Sequence, residues 1–197
     1  MSAVALSGAL LALVLLLPVR IALQRRWTGG SGIVLAAVPA GPPRTARALL
    51  AGGTLLTGLG PALDLLDVGW AWEPADAFLT HAVGFVLLIG GCGWAFWAQL
   101  TMREAWRVGQ DDGERLRLVT DGPFAQVRHP IYGGMIAIGL GVTLLSPTLI
   151  GAVGAALLAV GAVLQAIRVE EPHLRAVHGT TYWAWARRTG RFLPRVR

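Results

Sequence analysis

Charged residues are absent from long stretches of this chain, and the lengths of those stretches predict its elements. A helix rising 1.5 Å per residue needs ~20 apolar residues to cross ~30 Å of hydrocarbon, and ~17 suffice. Met1 to Val19 is one such run, Ala48 to Leu63 a shorter second, and Ala77 to Met102 a third. Pro130 to Ile167 also lacks any acidic or basic residue, but as one straight helix it would measure roughly 57 Å, nearly twice the hydrocarbon thickness. It has to fold back. Ser146-Pro147 near its middle predicts the turn, because proline disfavours helix at the residue before it and suits the first turn of the next helix. The pattern predicts an all-α integral membrane protein with five transmembrane helices, the last two forming a helical hairpin, followed by a C-terminal tail. Trp27 to Pro43 is uncharged too, but Gly29, Gly30, Gly32, Pro39, Gly41, Pro42 and Pro43 break it and predict a loop. Gly151, Ala155 and Ala159 recur at four-residue spacing, which admits either a close-packing seam or simply an alanine-rich helix.

Composition agrees with the pattern. The chain is 54% hydrophobic and 14% charged with a mean hydropathy of +0.58, whereas soluble domains carry roughly a quarter charged residues. At 197 residues it is expected to be one domain, with N-terminal membrane helices in 1–98 and most of its polar side chains in 99–197. All 17 basic residues are arginines, and the net charge is +6. They fall between or after the apolar runs, in Arg20 to Arg47, Arg103 to Arg128 and Arg168 to Arg197, a distribution that speaks for membrane topology and against nucleic-acid binding. Asp64 to Asp76 carries Asp64, Asp67, Glu73 and Asp76 and no arginine, so this segment is expected outside. Five crossings of a plasma (inner) membrane then place the N-terminus outside and the tail on the cytoplasmic face, with both other large polar segments. No basic residue precedes the first apolar run, which predicts a retained helix and not a signal peptide. The single cysteine, Cys92, excludes an intramolecular disulfide or a cysteine-based metal cluster.

The candidate chemistry lies in Arg103 to Tyr132 and Arg168 to Pro194, which flank the predicted hairpin. A hairpin returns to the side it left, so Arg128-His129-Pro130 and Arg168-Val169-Glu170-Glu171 are expected to meet at one membrane depth. Pro130 fits the first position of a helix, whose free amides and positive dipole end attract an anion. Two carboxylates at the end of a membrane helix are costly unless solvated or paired. The plain alternatives are an interfacial Arg128 with a helix-capping His129, and an Arg168–Glu171 pair at i, i+3. Together the two clusters suit a ligand bearing a carboxylate, an ammonium and a sulfonium, although an amino acid or a zwitterionic lipid headgroup fits the same charges. His173, His178 and His129 are candidate metal ligands, but the first two are not at i, i+4 and no cysteine assists, so no metal is expected.

One ordered set of motifs carries a resemblance. Leu118-Val119-Thr120-Asp121-Gly122-Pro123-Phe124, Val127-Arg128-His129-Pro130-Ile131-Tyr132-Gly133, Glu170-Glu171 with Leu174, Gly179 and Tyr182, and Arg191-Phe192-Leu193-Pro194 together resemble the isoprenylcysteine carboxyl methyltransferase family and the related phospholipid methyltransferases. The likeness covers Gln99 to Pro194. It implies that 99–197 is a cofactor-binding half, with an S-adenosylmethionine pocket closed over by the tail and open sideways to lipid. It places cofactor contacts on Gln110, on Leu116, Arg117, Leu118 and Val119, on Phe124, on His129, Pro130, Ile131 and Tyr132, and on Glu170. The sequence departs from the family in two places. Ala166 stands where an arginine often holds a substrate carboxylate, which leaves Arg168 as the nearest candidate, about 200° around the helix from Glu170. Trp185 replaces a tail aromatic that is often tyrosine.

Methyl transfer mainly requires alignment of donor and acceptor and exclusion of water. A carboxylate or thiolate acceptor needs only positioning, whereas a lipid amine must also lose a proton, and Glu171 is the nearest base for that role. The expected activity is therefore S-adenosylmethionine-dependent methylation of a lipidic or prenylated acceptor reached from the bilayer. The competing readings are a membrane oxidoreductase of the sterol-reductase-like type, which lacks a glycine-rich dinucleotide fingerprint here, and a non-enzymatic transport or assembly protein.

Overall fold

The computed structural model describes residues 1–34, 41–68, 70–109 and 116–195. These residues form helices α1 (Ser2–Val14), α2 (Arg20–Thr28), α3 (Pro42–Asp64), α4 (Ala77–Met102), α5 (Pro130–Leu145), α6 (Leu149–Leu164) and α7 (Glu171–Ala186), with no named strand among them. Three continuous helical stretches are long and apolar enough to cross a membrane: Ser2–Thr28, Ala77–Ala105 and Leu149–Ala186. The chain is an integral membrane protein.

The uncharged runs locate the helices but mark only some of their ends. Ala77–Met102 and the start at Pro130 fall where the pattern places them. The first helix, expected to stop at Val19, instead continues through a π-helical turn, Leu15–Val19, into α2. Pro18 lies inside that turn, and the wider winding accommodates a ring that lacks an N–H and crowds the preceding carbonyls. The same device recurs where a separate tail was expected. A second π-helical turn, Gln165–Glu170, runs straight into α7, with Pro172 two residues beyond it. His173 and His178 both sit on α7, whose break is at Gly179 with φ +49°. The predicted loop 27–43 is helical at both ends, since α2 runs to Thr28 and α3 begins at Pro42; residues 35–40 lie outside the described residues.

Helix packing is dominated by glycine. On α3, Gly53 and Gly60 lie seven residues apart, as do Gly154 and Gly161 on α6. A Cβ on Gly53 would stand 2.7 Å from Leu158 Cα, one on Gly60 2.9 Å from Gly151 Cα, and one on Gly161 2.7 Å from Leu50 N. The pair α4–α5 repeats the arrangement. Gly91 faces Gly134 and Gly84 faces Gly141, so that a Cβ on any of the four would press on the partner's carbonyl oxygen at 2.6 to 3.0 Å. Backbones this close gain dispersion along the whole interface, which is how helices associate where lipid offers no hydrophobic drive. Of the predicted seam, Gly151 and Ala155 are buried whereas Ala159 is only half-buried. Gly151 lies at the α3 contact with Gly154, Leu158 and Gly161, whereas Ala155 lies against Gly139 of α5.

Hydrogen bonds at the two ends of the bundle sort the connections. At one end Asp64 accepts from Ser2 and, at 2.9 Å, from Ser146. There the backbone of Trp70 and Trp72 also pairs with Leu149 and Pro147. Asp76 caps α4 through Leu79 N, and Thr148 caps α6 through Gly151 N. At the other end Arg20 is fully buried. Its guanidinium donates to the Gln99 and Arg103 carbonyls that close α4 and lies 5.0 and 4.6 Å from the Trp27 and Trp106 rings. A residue that reads in the sequence as a topology charge is thus a helix cap for a different helix.

Candidate active site

The site lies at the Arg20 end, where the N-terminus of α5 meets the junction of α6 and α7. Val127 to His129 run extended beside Gly190 and Arg191: Arg128 N donates to Gly190 O at 2.9 Å, His129 N to Arg191 O at 3.0 Å, and Gly190 N to Gln126 O at 3.0 Å. This short pairing brings the end of the chain back across the motif at 127–133.

The two adjacent glutamates have different surroundings. Glu171 is 1% exposed. Arg191 grips it with two bonds, Nε to Oε1 at 2.8 Å and Nη2 to Oε2 at 3.1 Å. Arg175 Nη2 reaches Oε2 at 2.8 Å and Arg128 Nε reaches Oε1 at 3.3 Å. Arg128 also donates to the carbonyls of Ala186 and Thr189 at 3.1 and 2.7 Å, so one arginine ties both ends of α7 to the segment before α5. Glu170, 29% exposed, points instead toward open space. Its Oε1 accepts from the Tyr132 hydroxyl, and its Oε2 lies 3.3 Å from His129 Nδ1.

His129 therefore stands between the two carboxylates, with Nε2 3.5 Å from Glu171 Oε1 but without a well-formed hydrogen bond there. Burial by itself would lower its pKa; the two adjacent carboxylates, Glu170 and Glu171, overcome that and raise it. A raised folded-state value means that this stabilisation is fully present below the ordinary imidazole pKa of ~6.5 and is lost as pH climbs through the folded value. Relative to the intrinsic base-catalysed rate, hydrogen exchange of the Arg128 and Gly190 amides, which donate across this pairing, should accordingly quicken over that alkaline interval in the wild type. In His129→Asn the step should disappear, and a step of the same size in both proteins would show that another group causes it.

Two cavities adjoin this cluster. The smaller, about 200 Å³, is lined by Leu116, Arg117, Leu118, Val119, Phe124 and Trp185 among others. Trp185 is fixed by its Nε1 donating to Phe124 O at 2.8 Å. The larger, about 1110 Å³, runs between α1, α3 and α5, is walled mostly by apolar residues, leucine the most frequent, and ends at His129, Pro130, Ile131 and Tyr132. Met102, Arg107, Gly109, Phe124, Arg128 and Glu170 line both. The anticipated contact residues thus converge on one place but divide between two chambers, with Glu170 on the partition. Gln110 lies outside the described residues. Arg168 is exposed and lines neither chamber, and Ala166 is fully buried. Among the described residues no group of three or more His, Cys, Asp or Glu is placed to hold a metal ion.

Sequence reasoning overlooked Arg47 and Gln99, which also line the larger chamber. Arg47 stands one position before an apolar run and read only as an interfacial charge. Gln99 carried no signal beyond being polar in an apolar helix.

The described residues thus form an all-helical membrane protein with a polar cluster on the partition between a small chamber and a long, largely apolar one. A sequence profile of the phospholipid methyltransferase family matches residues 79–181. The chain belongs to this family of membrane methyltransferases. No curated protein matches it.

Proposed function

We propose that the protein is an S-adenosylmethionine-dependent methyltransferase of lipidic acceptors, with the cofactor in the smaller chamber and the acceptor's chain in the larger. The observation that supports this most is the shared partition: a donor on one side and an acceptor on the other would meet beside Glu170, away from bulk water. The side chains fit such a cofactor. Glu170 offers negative charge to an ammonium or sulfonium, the Phe124 and Trp185 rings and the Leu116 to Val119 stretch offer apolar walls to a purine, and the first amides of α5 suit a carboxylate. When bound, the cofactor supplies an electrophilic methyl group on a positively charged sulfur. The protein's part is to hold Glu170 in place through Tyr132 and His129, to seat the C-terminal segment over the chamber through Glu171, and to exclude water.

In this reading Glu171, with both oxygens bound by arginines, holds the tail and does not take a proton, and Glu170 is the one acidic side chain among the described residues lining either chamber. The helices form five crossings, α5 and α6 being a hairpin turned at Ser146-Pro147-Thr148. The Asp64 end faces outward, and the arginine-rich site end lies at the cytoplasmic face of the plasma membrane.

Calorimetric titration of the purified protein with S-adenosylhomocysteine tests the reading. The wild type should bind, and Glu170→Ala should bind roughly tenfold or more weakly, the loss expected for one charge-assisted contact. Absence of binding to the wild type would sink it.

A further inference from the structure

Arg47 sits near the start of α3, at the site end of the larger chamber. Leu50, Thr54, Gly58 and Ala62 continue its stripe along the same helix and line the same chamber, so the wall runs from a cation to plain hydrocarbon over about 22 Å. Leucines of α1 face it across the opening. A chamber of that form is complementary to a molecule with one anionic end and a long apolar chain.

The other charges at the head are already engaged. Arg128 is bound to Glu171 and two carbonyls, Arg107 donates to the Glu104 and Trp106 carbonyls, and both oxygens of Glu170 are occupied by Tyr132 and His129. Among the described residues no carboxylate pairs with Arg47. Its guanidinium is also placed at the partition: a Cβ on Gly109, which lines both chambers, would stand 3.6 Å from Arg47 Nη2, and its charge acts on Tyr132.

From this juxtaposition we propose that Arg47 is the headgroup residue of the acceptor chamber, holding the carboxylate of a long-chain acid, and that it supplies from α3 the cation missing at Ala166. The inference rests on the reading of the larger chamber as the acceptor site. The chemistry is consistent with the neighbouring residues. A carboxylate oxygen forms its bond to the methyl carbon as the methyl–sulfur bond breaks; the electron pair stays on sulfur, and no proton has to leave. An ammonium headgroup would face Arg47 as a like charge and would need a base to take its proton.

The test uses full-length protein in nanodiscs of neutral lipid, with palmitate, hexadecanol and hexadecylamine as probes and bound probe measured by native mass spectrometry. The wild type should prefer palmitate to hexadecanol by roughly tenfold to a hundredfold, as one hydrogen-bonded charge pair implies. Arg47→Leu should erase the preference without changing hexadecanol binding, Arg47→Lys should retain most of it, and Arg47→Glu should favour hexadecylamine. Arg44→Leu, at an exposed position one turn earlier, should behave as wild type. An undiminished palmitate preference in Arg47→Leu overturns the proposal, and so does a wild type that prefers hexadecylamine. Titrating S-adenosylhomocysteine into the same samples separates the two readings. Cofactor binding with an unmoved palmitate preference removes Arg47's role alone, whereas a palmitate preference that depends on Arg47 without cofactor binding removes methyl transfer alone.

Discussion

Replacing Glu171 with alanine is expected to release the C-terminal segment from the membrane core. Two arginines and a histidine converge on this carboxylate from α7's far end and from the turn before α5, and a third arginine closes over it from one helical turn away. Removing one member of a buried charge cluster typically costs about 3–5 kcal/mol, and the loss here should sit at or below the lower end because Arg175 and Arg191 are 39% and 41% exposed and water can take up part of it. The consequence should be local before it is global: residues 187–195 should become cleavable by trypsin. Glu171→Gln, which keeps one acceptor oxygen for these arginines, should be cut more slowly than the alanine variant. If Glu171→Ala resists trypsin like the wild type, the cluster does not hold the tail.

The second large effect belongs to Gly154→Val. A side chain there would be driven onto the Thr57 amide and to 2.7 Å from Leu56 C, and backbone on both sides leaves it nowhere to turn. Overpacking ordinarily costs about 1–3 kcal/mol, and this contact should sit at or above the upper end because relief requires α3 and α6 to part. Gly52→Val is the matched control, since a Cβ at Gly52 meets nothing within 4 Å. The midpoint of unfolding in a graded detergent series should drop for Gly154→Val and stay near wild type for Gly52→Val; equal midpoints would show that the interface yields freely.

Much of this architecture is legible in the chain, for identifiable reasons. Hydrocarbon imposes a length, so an uncharged run announces a helix, and Ala77–Met102 was readable to its ends. Helix ends were less readable where proline produced a π-helical turn instead of a stop, at Pro18 and before Pro172. Both positions carry the local signature of a break, and only the packing around them decides between a break and a wider turn. The motifs at 116–132 and at Glu170 pointed to one site because the polar residues of an apolar chain are few. What each arginine does there was not legible. Arg20 caps α4, Arg128 braces α7 and Arg47 heads a chamber, yet all three read alike as interfacial charges, since the sequence holds no record of which carbonyl or cavity a long side chain reaches. The two glutamates are adjacent in the chain, and only the winding of the π-helical turn sends one to the tail and the other to the partition.

The opposed glycines of α4 and α5 act as detents. A sliding helix cannot come to rest between notches, and with notches seven residues apart the next stop lies about 10.5 Å away along the axis. The height of α5, and with it of His129 and Tyr132, is therefore a stepped quantity with one usable setting. Matching notches on α3 and α6 set the height of Glu170 in the same manner. Two separately indexed rails thus bring the hydroxyl of Tyr132 to the carboxylate of Glu170, so the alignment of these two groups is decided along the whole length of the helices, including parts that carry no functional group.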